Sequence, residues 1–182
     1  LRRTAEPTRL AMNCSGKHAG MLATCVVNGW PIDSYLDPAH PLQRAIKDEV
    51  EQMSGEKVAG VSVDGCGAPL FLFSLLGLAR AIRNLTISTD PVHNDVAQAC
   101  RDYPEMVSGP GRLATRMMQK IPGLFMKDGA EAVNVTSLAD GRTMAIKISD
   151  GNARAMPAIT AAALAKFGID AQEVPVNTLG AG

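Results

Sequence analysis

Eighteen basic residues balance eighteen acidic ones in a chain of 182 residues, 46% hydrophobic and 20% charged. That is enough apolar side chain for a substantial core, in one domain or a large part of one, with no net field to recruit nucleic acid or an anionic membrane. No apolar run approaches the roughly 20 residues of a membrane span, and Leu1-Arg2-Arg3-Thr4 is not followed by a signal-peptide core, which leaves the cytoplasm as the default compartment.

Taken in order, residues 1–12 are a polar, proline-containing lead without periodicity, an unusual beginning for an independent domain. Asn13-Cys14-Ser15-Gly16-Lys17-His18-Ala19-Gly20 then crowds a thiol, a hydroxyl, an amine and an imidazole ahead of the apolar Met21, Leu22, Ala23, Cys25, Val26 and Val27. This predicts a helix over about 15–29, capped by Asn13 or Ser15, ended by Asn28-Gly29 and barred from continuing by Pro31. Trp30 is expected to pack over that end. From Ser34 to Gly55, Leu42, Ile46, Val50 and Met53 recur at helical spacing, with Pro38 and Pro41 in the turn leading in. Val58–Val63 reads as a strand running into the glycine-rich turn Asp64-Gly65-Cys66-Gly67-Ala68-Pro69.

Phe71–Leu85, apolar almost all round, predicts a helix buried on most sides. Asp90-Pro91 opens another through about Arg101, and Arg112–Ile121 a third after the loop Ser108-Gly109-Pro110-Gly111. Leu124-Phe125-Met126 is a short apolar run leading into Lys127-Asp128-Gly129-Ala130-Glu131. Val133–Leu138 and Thr143–Ile148 flank Ala139-Asp140-Gly141-Arg142 as a hairpin, and a last helix spans about Asn152–Phe167. The class is α/β or α+β, a mainly antiparallel sheet covered by helices.

The four cysteines, at 14, 25, 66 and 100, are too irregularly spaced for a secreted disulfide framework. Cys14 and Cys66 alone lie in glycine-flanked, turn-like settings, while Cys25 and Cys100 fall mid-helix and read as core. A zinc site would therefore have two thiolates, completed by Lys17 or His18, with Asp64 placed to support a ligand. Zinc-finger spacing is absent, and the same residues also read as a buried cysteine and a solvated lysine at a helix start. Ser15 and His18 lack the orienting carboxylate of a triad, and Gly16-Lys17-His18 lacks the pattern of a phosphate-binding loop. Ser54-Gly55-Glu56-Lys57 has Ser-x-x-Lys spacing but is expected in an exposed turn after a surface helix. His40 and His93 are expected at the surface or at helix caps.

Asn13–Leu22, Val63–Pro69, Tyr103-Pro104-Glu105-Met106-Val107-Ser108-Gly109 with Gly111-Arg112, and Lys127–Glu131 together resemble the asparaginase II family, typified by the inducible rhizobial enzyme, over essentially the whole chain. The resemblance implies hydrolysis of L-asparagine to L-aspartate and ammonia by a homodimer, on a layered fold similar to serine β-lactamases and glutaminases. It implies zinc held by Cys14, Lys17 and Cys66, with Asp64 and His18 around it, and identifies Lys127 with the lysine of the second of two catalytic Ser/Lys pairs. Arg112 and Glu131 lie in motif loops without an assigned role. The family's nucleophilic Ser-x-x-Lys and second serine precede the Asn-Cys-Ser-Gly-Lys-His stretch. Residues 1–182 are accordingly expected to be the C-terminal part of an asparaginase II-like domain, without a second complete domain: inactive alone, complemented by the missing N-terminal part, or a catalytically silent zinc-binding remnant or partner subunit.

Overall fold

The structure is a computed structural model that describes residues 8–171; residues 1–7 of the predicted lead lie outside them. Helices alternate with two small antiparallel sheets. The chain divides into two compact units, one holding the described residues through Glu51 together with Lys57–Phe73, the other holding Gln52–Glu56 and the described residues from Ser74 onward.

The first unit begins with a single 3-10 turn at Arg9–Ala11 and helix α1, Ser15–Asn28. His18, Met21 and Cys25, at helical spacing, give α1 one buried face, and Gly29 ends it in the left-handed region (φ 67°) that glycine adopts without penalty. Trp30 follows directly, its amide donating to the Cys25 carbonyl at 2.9 Å and its ring edge-on to His40. Cys14, not Asn13 or Ser15, occupies the cap position, and its side chain makes no capping hydrogen bond. Instead, the Asn13 amide points back to the Cys14 sulfur at 3.6 Å.

Helix α2, Pro41–Ser54, starts on its proline as expected. His40 caps it: the buried ring accepts from Leu42 N–H through Nδ1 at 3.1 Å and meets the Pro31 carbonyl at 2.9 Å through Nε2. The core of this unit is Met21, Cys25, Leu42 and Ala68, with Trp30, Tyr35, Leu36 and Ile46 packed around it.

Strands β1 (Gly60–Val63) and β2 (Pro69–Leu72) pair antiparallel, Val63 opposite Pro69 and Gly60 opposite Leu72. The glycine-rich turn is thus a hairpin loop. Phe71 and Leu72, expected in the following helix, belong to β2, because their backbone groups are already committed to β1. The helix can begin only after Ser74, whose hydroxyl accepts from Gly77 N–H at 2.9 Å.

The second unit is built on a sheet of order β3-β4-β5: Phe125–Gly129, Val133–Ser137 and Thr143–Lys147. Helices α3 (Leu75–Thr86), α4 (Pro91–Asp102), α5 (Pro104–Ser108) and α6 (Leu113–Lys120) precede it, and α7 (Met156–Lys166) follows a short 3-10 turn at Ala153–Ala155. Four of the five residues of β4 are buried, as expected of a central strand covered on both faces.

Helix α3 packs on β4 and β5, where Thr86 and Ser137 hydroxyls meet at 2.7 Å. It is amphipathic rather than buried on most sides, since Leu75 and Leu76 are exposed. Helices α6 and α7 enclose the main core, in which Ala114, Met117, Met118 and Leu164 close over Met126 and Leu138. Among the described residues the expected single covered sheet is therefore two sheets, of two and three strands, and the class is mixed α/β of the α+β kind.

Candidate functional site

Two stretches far apart in sequence meet in the first unit. Lys17, in the first turn of α1, sends its amine to the loop between β1 and β2, 2.5 Å from Asp64 Oδ2 and 3.0 Å from Cys66 Sγ. The loop holds its own shape through Asp64. Oδ1 accepts from Cys66 N–H at 3.0 Å, from Ala68 N–H at 2.9 Å and from the Cys66 thiol at 2.9 Å. Gly67 supplies the left-handed residue that this tight turn requires (φ 85°). Cys14, one residue ahead of α1, is near enough to Cys66 to push its thiol up slightly.

These contacts shape the protonation of the cluster. Partial burial pushes the Asp64 carboxyl up, but the bonds from the Cys66 thiol, the Lys17 amine and two backbone amides outweigh it and hold the group well below the ordinary carboxylate range. Burial works against the Lys17 ammonium, and its bonds to Asp64 and Cys66 win, keeping the amine above the usual lysine value. The Asp64 carboxylate, taking the Cys66 proton as its own hydrogen bond, raises that thiol, with Lys17 opposing. The cluster thus cradles a positive charge between a carboxylate and the Cys66 sulfur. Among the described residues no three His, Cys, Asp or Glu side chains gather to hold a metal ion, so a metal here depends on the amine of Lys17 as a donor beside the two thiols.

His18 turns the other way. It is buried, with Nδ1 2.7 Å from the Tyr35 hydroxyl and Nε2 without a partner, and its ring stands edge-on to Tyr35. It shares the first turn of α1 with Lys17 but lies on the buried face of the helix, with Met21 and Cys25.

Lys127 lies in the second unit, on β3 opposite Val135 of β4. Its half-exposed amine donates to the Asp128 carbonyl and stands 3.6 Å from Asp128 Oδ1. Asp128 accepts from the Ser108 hydroxyl at 3.0 Å and faces the Arg112 guanidinium at 3.7 Å. Burial pushes the Asp128 carboxyl up; the Lys127 charge and the Ser108 bond prevail and hold it below its ordinary value.

Beyond β3, Glu131 and Ala132 both adopt positive φ (54° and 56°), a strained pair for residues with a β-carbon. Lys147 braces this turn by donating to the Glu131 and Ile148 carbonyls, each at 2.7 Å. Ser108 and Asn134, which share a small cavity with Arg112 and Asp128, were not singled out by sequence; neither carries a local signal beyond being polar.

Ser54 corrects an expectation. It is fully buried at the end of α2, its hydroxyl within 3.4 Å of the Glu56 carbonyl and 3.3 Å of the Glu56 amide, rather than lying in an exposed turn. Lys57, its Ser-x-x-Lys partner, is 90% exposed and paired with Glu51 at 2.6 Å. That pairing raises the Lys57 amine above its usual value, the reverse of what a general base needs. His93 sits in α4 with Nδ1 3.2 Å from the Ser88 hydroxyl.

No helix of the described residues is long and apolar enough to cross a membrane. No curated protein matches the chain. The family described as L-asparaginase II matches residues 1–180, nearly the whole chain, and the protein belongs to that family.

Proposed function

We propose that this chain is the zinc-binding, lysine-bearing part of an L-asparaginase-type amidohydrolase acting on L-asparagine. The observation that carries the reading is the convergence of Lys17, Asp64 and Cys66 from stretches 47 residues apart, with Cys14 a neighbour of Cys66. Two thiols and an amine suit zinc, and Asp64 is placed to accept a hydrogen bond from a ligand. As ligands the thiols and the amine give up their protons, so the Lys17 ammonium is read as the metal-free form of the site. Bound there, zinc supplies a fixed dication between the start of α1 and the β1–β2 loop.

In the reaction, a serine hydroxyl attacks the side-chain amide carbon as Lys127 takes its proton. The carbon–nitrogen bond breaks, the proton leaves with ammonia, and water releases the acyl group as L-aspartate. With Ser54 turned into its own helix end and Lys57 held by Glu51, the serine is assigned to a Ser-x-x-Lys segment ahead of Asn13, as the family resemblance implies. The helices on both faces of the three-stranded sheet support a β-lactamase-like layering, and a cytoplasmic homodimer goes with the same resemblance.

The second reading, a catalytically silent zinc-binding partner subunit, draws its support from the same Ser54 and Lys57 geometry. Ammonia release from L-asparagine separates the two. The 182-residue chain alone is expected to release none, and mixing with the N-terminal Ser-x-x-Lys segment of a family member is expected to restore release. Release by the chain alone that Ser54→Ala abolishes would overturn the assignment of the nucleophile, and a complemented chain without turnover would favour the silent reading.

A further inference from the structure

The second unit holds a cavity of about 110 Å³ on the face of β3 away from Lys127, since strand residues alternate and Met126 and Asp128 line it. Against the roughly 30 Å³ share of one water, it has room for a few waters or one small ion, far short of a nucleotide.

Three kinds of donor border this space. Asn134, opposite Asp128 on β4, is completely buried; its Oδ1 accepts from the Thr136 hydroxyl at 3.0 Å, while Nδ2 has no partner. A buried N–H left without an acceptor is costly, and Asn134 lines a space that can hold one. Leu113 and Ala114 line the same space and open α6, where backbone amides have no partner within the helix, and Arg112 at the cap position makes no side-chain capping bond. A helix start of this kind favours an anion. The Arg112 guanidinium lies at the rim, 3.7 Å from Asp128 Oδ2, beyond direct hydrogen bonding, and so retains donors of its own.

One acceptor stands among these donors. Asp128 lines the cavity as a carboxylate, and two cations answer its charge: the Lys127 amine 3.6 Å from Oδ1 and the Arg112 guanidinium beside Oδ2, which leaves the three side chains one positive charge in excess. Oδ1 takes the Ser108 hydroxyl at 3.0 Å, and Oδ2 keeps lone-pair capacity for a proton brought by a ligand. A fully ionised anion such as sulfate would set one of its oxygens against that lone pair. An anion that still carries a proton would donate it there.

We propose that this cavity binds inorganic phosphate, its oxygens accepting from the Asn134 amide, the first amides of α6 and Arg112, and its remaining hydroxyl donating to Asp128. A phosphate monoester presents the same group less well, because above its second pKa of about 6 it has no proton left to donate. The inference concerns binding alone and does not rest on the amidohydrolase reading.

Isothermal titration of the 182-residue chain with inorganic phosphate, sulfate and methyl phosphate tests it, at about pH 8, where the monoester is fully ionised and inorganic phosphate keeps one proton. Saturable one-to-one binding of inorganic phosphate is expected, with sulfate and methyl phosphate weaker by about tenfold or more, the factor for losing one charge-assisted hydrogen bond. Arg112→Gln, at a side chain 64% exposed and therefore tolerant of change, should weaken phosphate by a similar factor. Asp128→Asn keeps an oxygen for Ser108 and can turn an N–H toward an ionised oxygen, so it should narrow the gap between phosphate and sulfate, which a general loss of structure would not do. The wild-type comparison of the three anions decides the matter if either variant fails to fold. Absence of saturable phosphate binding, sulfate or methyl phosphate bound as tightly as inorganic phosphate, phosphate affinity unchanged in Arg112→Gln, or a preference over sulfate unchanged in Asp128→Asn would overturn the proposal. Ammonia release enters none of these readings, so this inference and the proposed function can fail separately.

Discussion

Lys127 shows how much a single residue can owe to its neighbours. Its stem rises from a strand whose preceding residues, Phe125 and Met126, are buried, while its amine stays half exposed beside Asp128. In the complemented enzyme, Lys127→Met should lower turnover by orders of magnitude while leaving fold and metal content unchanged, since methionine keeps the apolar stem and removes the amine. Ammonia release alongside circular dichroism and zinc content checks this, and near-normal turnover would make Lys127 structural.

At the same scale, the sequence made Cys14, Lys17, Asp64 and Cys66 visible one by one, through glycine-flanked turns and a helix start. That Lys17 reaches the Asp64–Cys66 loop could not be read locally, because nothing in 47 residues of spacing encodes a distance. Ser54 was misread for the converse reason. A serine at a helix end looks solvated in sequence, yet it can turn its hydroxyl onto its own backbone and be buried.

Among elements, the β4–β5 hairpin was legible because Asp140-Gly141 forces a turn between two β-branched runs, with Gly141 at φ 86°. β2 was not, because only Ser74 separates Phe71, Leu72 and Phe73 from the apolar residues of α3, and periodicity does not separate a four-residue strand from the start of a buried helix.

The turn from α6 into β3 depends on Gly123, at φ 74°, where an added β-carbon would lie 2.8 Å from the Ala139 β-carbon. Gly123→Ala combines left-handed strain with a clash against a side chain that has no rotamer to yield, and should cost about 2–4 kcal/mol in urea unfolding.

Glu51 joins α2 to the start of β1, accepting from Lys47 at 2.7 Å, Lys57 at 2.6 Å and Val58 N–H at 3.0 Å. Its hydrogen bonds to Lys47, to Lys57 and to the Val58 amide lower its pKa from 4.5 to about 2. A carboxylate depressed on folding contributes stability that is full above its unfolded value and lost as pH falls through about 2. Wild type should therefore be more stable than Glu51→Gln at pH 6, with the gap closing between pH 4.5 and 2. A gap independent of pH in thermal melts would mean that the charge contributes nothing.

For the molecule as a whole, family membership and the Cys14-Lys17-Cys66 cluster carry the functional account, and the cluster is where that account is most exposed. Zinc bound there would link α1 to the β1–β2 loop, so binding should also raise the unfolding temperature of the chain, because a ligand that binds only the folded form stabilises it.

The most direct measurement is the zinc content of the purified 182-residue chain after dialysis against trace zinc, with Cys66→Ser and Cys14→Ala/Cys66→Ala measured in parallel. One zinc ion per wild-type chain is predicted, bound much more weakly by Cys66→Ser, because a hydroxyl does not supply the thiolate charge, and absent from the double variant. Stoichiometric zinc retained by the double variant, or none bound by the wild-type chain, would contradict the account.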